Sequence, residues 1–195
     1  SNDAPRLDYS TGSEAFLLEP QSTNLITYSE DFSDSSWIKN NVTVSVNLII
    51  SPDGNLTTDK LVESNIVGAK FIYTSNAINI GFTYTYSIFA KKDENDILQI
   101  FQSSGFNTAK YINYDLTNGI INAFNGATGS IIDFGNGWFK CTMTETATST
   151  VTSSPAIVPC LVQTINSSLK ESFLGDGTSG VYIFGAQLEQ QSYAT

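Results

Sequence analysis

The stretch Gly81-Phe-Thr-Tyr-Thr-Tyr-Ser-Ile-Phe-Ala-Lys91 decides the fold class, because it alternates as a strand with one buried face does. Successive side chains of a strand point to opposite faces, with a period of two. One face carries only apolar and aromatic residues: Phe82, Tyr84, Tyr86, Ile88 and Ala90. The other face is mostly polar: Thr83, Thr85, Ser87, Phe89 and Lys91. We predict that Tyr84, Tyr86 and Ile88 lie in a hydrophobic core.

Two residues on the polar face need an explanation, Phe89 and Lys91. A half-polar face with an aromatic ring suits a flat, hydroxylated ligand such as a sugar, because the ring can cover the C–H side of a pyranose. The simpler alternative is a solvated face with one isolated aromatic residue. This strand alone does not decide between the two interpretations.

The composition is that of one β-rich domain. The chain has 195 residues, of which 41% are hydrophobic, and this is enough for one well-buried core. Twelve Phe, nine Tyr and two Trp accompany a single Met, and aromatic side chains pack well on pleated sheets. No window has a 3.6-residue apolar repeat, so we expect no helix beyond one turn near Ser29–Ser35. We predict an extended N-terminal arm over residues 1–22 and one sandwich domain over residues 23–195.

Short strands separated by turns account for the rest of the chain. A spacing of roughly ten residues between turns is typical of a two-sheet sandwich or a barrel. Ser51-Pro-Asp-Gly54 has the pattern of a type I turn, and Asn118-Gly119 that of a hairpin turn. Asn24–Tyr28 is predicted to be a strand. Asp93-Glu-Asn-Asp96 is predicted to be a hairpin tip, from which the strand Ile97–Gln102 runs back.

The net charge of −10 excludes two classes of partner. A nucleic acid needs a basic patch for its phosphates, so we expect no nucleic-acid binding. Anionic membrane surfaces are disfavoured for the same reason. No apolar run approaches the ~20 residues that span a bilayer, and no basic-then-apolar signal opens the sequence. We therefore expect no membrane insertion.

Catalytic chemistry is poorly represented in the sequence. There is no histidine, which excludes histidine-dependent triads, histidine metal sites and imidazole acid–base chemistry. Two separated cysteines make no zinc site. Cys141 and Cys160 both stand in apolar surroundings, and we predict two buried free thiols rather than a disulfide. Glycoside hydrolysis needs two carboxyl groups across a cleft, but the acidic residues fall mostly in turns, so we expect no enzymatic activity.

Several motifs, taken in order, resemble a domain found in bacteriophage tail and minor structural proteins. They are Leu17-Leu-Glu-Pro-Gln-Ser-Thr-Asn-Leu25, Ser29-Glu-Asp-Phe-Ser33 with Trp37, Ser51-Pro-Asp-Gly-Asn-Leu-Thr-Thr-Asp-Lys-Leu61, Phe82–Lys91, Gly135–Cys141 and Gly185-Ala-Gln-Leu-Glu189. That domain is similar to the jelly-roll carbohydrate-binding modules attached to bacterial glucanases and xylanases. The resemblance covers nearly the whole chain and implies an all-β jelly-roll sandwich of two antiparallel sheets, one of them concave.

The resemblance also implies a function. We expect a non-catalytic glycan-binding or adhesion domain of a phage virion structural protein, at the virion surface, in a tail fibre or a head or tail decoration that attaches to the host. Its partners would be a glycan or polysaccharide and other virion proteins, and phage appendages are commonly homotrimers. One alternative is a purely structural assembly domain without a sugar ligand. Another is an extracellular accessory module of a polysaccharide-degrading enzyme.

If a glycan binds, we predict contacts from side chains that fall opposite the apolar set of their own strands. They are Phe89, Lys91, Gln99, Phe101, Tyr111, Asn113, Trp138 and Lys140. Aromatic rings would cover the sugar ring, while Gln, Asn and Lys would hydrogen bond to hydroxyls. The alternatives are that the aromatic residues pack in the core or under the N-terminal arm, and that the lysines project into solvent. We expect one sheet to carry these residues together.

A structural calcium is a further expectation that the resemblance raises, because modules of this kind often hold one between the first loop and the last strand. Calcium prefers hard oxygen ligands. Glu30, Asp31 and Glu189 lie in the corresponding segments and are the predicted ligands.

Overall fold

The computed structural model describes residues 7–8, 15–16, 23–106 and 109–194. These residues form eighteen strands and no helix, so none of them belongs to a helix that is long and apolar enough to cross a membrane. In chain order the strands are β1 Leu7–Asp8, β2 Ala15–Phe16, β3 Ile38–Asn40, β4 Val42–Ile49, β5 Thr58–Glu63, β6 Val67–Gly68, β7 Lys70–Tyr73, β8 Ser75–Ile78, β9 Thr83–Lys92, β10 Ile97–Gln102, β11 Tyr111–Asp115, β12 Ile120–Phe124, β13 Thr128–Gly135, β14 Trp138–Thr146, β15 Val151–Pro155, β16 Ile157–Leu161, β17 Phe173–Leu174 and β18 Gly180–Glu189.

Two six-stranded antiparallel sheets pack face to face, which confirms the predicted β-sandwich. We call them the front sheet, in the order β13-β14-β9-β18-β5-β4, and the back sheet, in the order β12-β11-β10-β16-β7-β3. Three two-stranded ribbons accompany them: β1 with β2, β6 with β17, and β8 with β15. Most of the predicted arm over residues 1–22 lies outside the described residues.

Strand β9 lies in the middle of the front sheet, between β14 and β18. Tyr84, Tyr86 and Ile88 are at most 1% exposed and belong to the core between the sheets, as predicted. Phe82 does not follow them into the core. It precedes the strand, in a turn where its amide donates to the carbonyl of Asn79, and half of its surface is exposed.

Residues 93–96 connect the two sheets, so the predicted hairpin tip is wrong. The Asn95 amide donates to the carbonyl of Gly180 in the front sheet, at 3.1 Å. The Asp96 carbonyl accepts from the amide of Leu116, directly after β11 of the back sheet, at 2.8 Å. Because each end of this connection is bonded to a different sheet, β9 and β10 are not neighbours.

Residues 24–29 lie along β18 without forming the predicted strand. The Leu25 amide donates to the carbonyl of Leu188, and the Ala186 amide donates to the carbonyl of Ser29, both at 2.8 Å. The Asn24 side chain joins the same strand twice, since its Oδ1 accepts from the Leu188 amide and its Nδ2 donates to the Ala186 carbonyl. The beginning and the end of the sandwich therefore lie side by side.

The two cysteines are free and buried, as predicted. Cys141 points from β14 into the core between the sheets, whereas Cys160 on β16 lies in a second cluster on the outer face of the back sheet. Burial raises the pKa of both thiols, that of Cys160 to about 12. Neither is therefore a reactive thiolate at neutral pH.

Candidate binding faces

The eight side chains predicted to contact a sugar do not share one sheet, so the expectation of a single continuous site is wrong. The front sheet carries Phe89, Lys91, Trp138 and Lys140. The back sheet carries Gln99, Phe101, Tyr111 and Asn113. The cause is the connection at residues 93–96, which passes from one sheet to the other and leaves the two sets on opposite outer faces of the sandwich.

The four front-sheet residues form two cross-strand pairs. Lys91 is paired with Trp138, and Phe89 with Lys140. All four lie outside the core, because the residues that alternate with them on β9 and β14 face the back sheet. The Lys140 Nζ is 5.8 Å from the centroid of the Phe89 ring, a cation–π arrangement. Burial lowers the pKa of Lys140, and the carboxylate of Glu189 opposes that shift. Lys140 is thus not the solvated lysine of the simpler interpretation.

Three aromatic residues that the sequence interpretation missed complete this face. Tyr182 and Phe184 of β18 are paired with Lys91 and Phe89, on the side opposite Trp138 and Lys140. Phe134 packs edge-on against Phe89, with ring centroids 4.9 Å apart. A signal for the β18 pair was present in the sequence, since Tyr182 and Phe184 alternate with the core residues Val181 and Ile183.

Of these side chains, Lys91, Phe134, Trp138 and Tyr182 line a cleft of about 580 Å³ at one end of the front sheet. We call it the front cleft, lined by Ile49, Ile50, Ser51, Pro52, Gly54, Lys91, Lys92, Asp93, Phe134, Gly135, Asn136, Trp138 and Tyr182. Trp138 is 4% exposed, whereas Phe134 is 52% exposed. Lys91 Nζ donates to the carbonyl of Asn136 at 2.7 Å, which fixes the hairpin turn beside the cleft.

An ion pair sets the charge state at the rim of the front cleft. Lys60 Nζ lies 2.7 Å from Asp93 Oδ2 and 2.5 Å from Glu94 Oε2. Burial disfavours ionisation of Asp93, but the hydrogen bond and the charge of Lys60 outweigh it and hold the pKa of Asp93 below its ordinary value. Burial, aided by a hydrogen bond to Asp93, raises the pKa of Tyr182. The cleft therefore presents an ionised carboxylate and a protonated phenol at neutral pH.

The other end of the front sheet is partly covered by the last residues of the chain. Thr85 Oγ1 donates to the carbonyl of Gln191 at 2.8 Å, and Tyr193 lines a smaller cavity of about 380 Å³ beside Lys140. Hydroxyl pairs such as Thr85 with Thr144, at 2.9 Å, satisfy one another there. The front cleft is thus the larger of the two cavities on this face.

On the back sheet, Gln99 and Asn113 are fully buried, and all their amide hydrogens are used within the protein. Gln99 Nε2 donates to Asn113 Oδ1 and to the carbonyl of Ser168. Asn113 Nδ2 donates to the carbonyls of Ile165 and Ser167. The predicted sugar contacts of these two residues are therefore wrong, because their polar atoms hold the loop after β16 instead.

Phe101 and Tyr111 belong to a hydrophobic cluster on the outer face of the back sheet. The Tyr111 ring stacks on Phe124, with centroids 4.4 Å apart and an interplanar angle of 11°. Phe101 meets Phe71 edge-on at 5.9 Å. Both rings are therefore mostly packed against other side chains, as the alternative to sugar contact predicted.

The predicted calcium ligands do not come together. The part of the chain that the structure describes has no group of three or more acidic or cysteine side chains placed to hold a metal ion. Asp31 accepts hydrogen bonds from the hydroxyl and the amide of Ser33. Glu189 lies on β18 opposite Thr85. A structural calcium stays a prediction without identified ligands.

No protein-family model and no curated protein matches the chain. Among solved structures, the chain is similar to the crystal structure of the enzymatically active domain of tailspike protein 4 of bacteriophage CBA120, with a TM-score of 0.49 and 16% sequence identity. The match covers 85% of this chain and 21% of the tailspike chain, so this chain spans about a fifth of that protein's length. A likeness at this level carries no argument about function.

Proposed function

We propose that this chain is a non-catalytic glycan-binding domain of a phage virion structural protein, and that the glycan lies in the front cleft. The observation that carries the proposal is the convergence of Phe134, Trp138 and Tyr182 with Lys91 and Asp93 in one open cleft. The virion setting is supported by the ordered sequence motifs that resemble phage tail and minor structural proteins, and it stays a prediction.

The chemistry of the cleft suits a sugar on two counts. An exposed ring such as Phe134 offers a face to the C–H side of a pyranose, and the partly exposed Tyr182 supplies further aromatic surface beside it, above the buried Trp138. Asp93 accepts hydrogen bonds from sugar hydroxyls, and Lys91 donates them. Affinity should lie between micromolar and millimolar, because each hydrogen bond exchanged with water contributes only about 0.5–1.5 kcal/mol net.

The proposal assigns no catalysis to this cleft. Glycoside hydrolysis uses two carboxyl groups on either side of the scissile bond. Of the described residues that line the front cleft, Asp93 alone carries a carboxyl group. The hydrogen bond from Lys60 holds that group in its ionised form, so it is not set up as a general acid.

A glycan array followed by titration of the best ligand tests the proposal. Phe134→Ala should weaken binding at least about fivefold and leave the melting temperature nearly unchanged, because half of this ring is solvent-exposed. Phe82→Ala is the matched control, since Phe82 is 50% exposed and lies in the turn before β9, at the end of that strand that is remote from the front cleft. An array without any ligand at millimolar glycan, or equal losses in both variants, would overturn the proposal.

A second candidate is a structural domain that assembles with other virion proteins and has no sugar ligand. The observation that favours it is the edge strand β4, which carries the exposed apolar residues Val46 and Leu48 and is followed by the exposed Ile50. An uncharged, exposed edge strand is a typical surface for association. Light scattering at micromolar concentration distinguishes the two: a stable oligomer together with a blank glycan array favours assembly, and a homotrimer is the predicted oligomer.

A further inference from the structure

We propose a second, carboxylate-selective site on the outer face of the back sheet, which takes an acidic sugar such as a hexuronate. The site is a cavity of about 240 Å³, here called the back pocket. Its lining includes Lys39, Phe71, Tyr73, Phe101 and Lys170. It lies on the opposite outer face of the sandwich from the front cleft and shares no lining residue with it.

The back pocket has an aromatic wall. Phe71 lies between the other two rings, 6.1 Å from Tyr73 and 5.9 Å from Phe101. Phe101 is buried, while Phe71 and Tyr73 are partly exposed. The wall therefore offers apolar ring surface of the kind that covers the C–H side of a sugar ring.

The charge of the lining is opposite to that of the protein. The chain carries a net charge of −10, yet the described residues that line the back pocket include two lysines and no carboxylate. Lys39 Nζ donates to the carbonyls of Ser33, Asp34 and Trp37, so all its hydrogens are used. Its charge also acts on the carboxylates of Asp31 and Asp59, which leaves Lys170 as the cation of the lining that is available to a ligand. A cavity of this kind selects an anion.

Lys170 is the residue placed to contact that anion. It is exposed, and its Nζ lies 5.4 Å from the centroid of the Phe101 ring. No described residue forms a hydrogen bond or an ion pair with this ammonium group. A ligand carboxylate would therefore receive a charge-assisted hydrogen bond without displacing an internal partner.

The backbone around Lys170 is already fixed before a ligand binds. Its amide donates to Oε1 of the buried Gln99 at 2.8 Å, and Gln99 Nε2 donates to the neighbouring Ser168 carbonyl. This accounts for the deep burial of two amide side chains, Gln99 and Asn113, under the loop. A loop fixed before binding loses less conformational entropy when the ligand arrives.

Titration with glucuronate and with glucose tests the site, because the two sugars differ in the carboxylate. Backbone amide shifts measured by NMR locate the binding. We expect glucuronate to shift the amides of Tyr73, Phe101 and Lys170 with an affinity roughly fivefold to tenfold above that of glucose. The preference should shrink as salt is raised, because the ammonium group is exposed.

Variants at one position sharpen the test. Lys170 has a φ of 49°, so Lys170→Asn removes the charge with a residue that tolerates the left-handed region. It should abolish the preference for glucuronate, and Lys170→Arg should keep it. Lys110→Gln is the control, because Lys110 lines neither the front cleft nor the back pocket, and its loss should leave glucuronate binding unchanged.

The site would be overturned by equal binding of glucose and glucuronate, by shifts confined to the front cleft, or by full binding of glucuronate to Lys170→Asn. Binding of benzoate without glucuronate would also overturn it, in favour of an aromatic acid. Phe134→Ala should weaken ligands of the front cleft and leave glucuronate binding intact. Failure of one site is thereby distinguishable from failure of the other.

Discussion

Gln99 Nε2 donates to Asn113 Oδ1 at 2.8 Å in a fully buried position, and this pair holds the loop over residues 165–170 against the back sheet. The loop contributes four polar groups to the two amides: the carbonyls of Ile165, Ser167 and Ser168 and the amide of Lys170. The two side chains thus replace, for this loop, the pairing that a neighbouring strand would supply.

Asn113→Ala should therefore destabilise the protein. It leaves buried carbonyls and one amide hydrogen of Gln99 without their partner, and we expect a loss of about 1–3 kcal/mol in the free energy of unfolding. Urea denaturation measures it. Asn122→Ala is the control, because Asn122 reaches the same loop from β12 through more exposed contacts and should cost about 0.5 kcal/mol or less. Equal losses would contradict this role of Asn113.

The core position Ile88 should be sensitive to truncation. It is fully buried in the middle of the front sheet, and Ile88→Ala should lower the free energy of unfolding by about 2–5 kcal/mol. Ile132→Ala removes the same atoms from a half-exposed site on β13 and should cost about 0.5 kcal/mol or less. Chemical denaturation compares the two. A similar effect at both positions would mean that the faces of the front sheet are assigned incorrectly.

Stability should fall in acid partly through Asp93. The pKa of this carboxyl is below its ordinary 3.8, so its contribution is present above pH 4 and is lost as the pH falls through the lowered value. Lys60→Met should thus cost about 1–3 kcal/mol at pH 7, and the difference from the parent should shrink near pH 2.5. Urea unfolding at the two pH values measures it.

Lys92→Met is the control for the ion pair. Lys92 is exposed and makes a 3.3 Å hydrogen bond to Thr117, so its loss should change stability little at either pH. If Lys60→Met costs the same at pH 7 and at pH 2.5, the ion pair is not the source of the acid sensitivity.

The two cysteines should resist alkylation in the folded protein. Both are fully buried, and burial raises the pKa of Cys160 to about 12, so almost no thiolate exists at pH 8. Mass spectrometry after iodoacetamide treatment should show modification only in denaturant. Ser149→Cys places a thiol on an exposed loop and should be modified without denaturant. Rapid modification of Cys160 in the native protein would contradict its placement.

The positions of the four candidate residues on the front sheet could be predicted from the local sequence. Alternation along β9 places Phe89 and Lys91 outside the core, and the turn over residues 135–137 makes β13 and β14 a hairpin. On β14, Trp138 and Lys140 alternate with residues that face the core, as the period of two requires. The two-residue alternation of a strand and the residue preferences of a turn are short-range properties, so both can be recognised in the sequence.

The positions of the four candidate residues on the back sheet could not be predicted in this way. A four-residue polar connection such as Asp93–Asp96 fits a hairpin and a crossing between sheets equally well. Which of the two forms depends on Gly180, whose carbonyl accepts a hydrogen bond from the Asn95 amide although Gly180 is distant in the sequence. Only the tertiary structure places Gln99 and Asn113 under a loop, because nothing in their own strands indicates what covers them.

Tyr182 and Phe184 are an intermediate case. They alternate correctly with the core, but β18 has an irregularity after Phe184, where Gly185 has a φ of 60°. A Cβ at Gly185 would lie 3.4 Å from the Phe89 ring. The glycine therefore allows both the left-handed backbone and the close approach of the Phe89 ring. It also shifts the alternation of inward and outward side chains along β18, which the sequence pattern alone does not indicate.

The two hydrogen bonds of the Asn24 side chain to β18 have a mechanical consequence. A polypeptide that continues before residue 24 and after residue 188 would enter and leave the sandwich at one corner, as insertable domains do. Tension along such a polypeptide would first load the bonds at Asn24 and Leu25 and the hydrogen bond from Thr85 to the Gln191 carbonyl. Most strands of the two sheets would thus lie outside the path of that force.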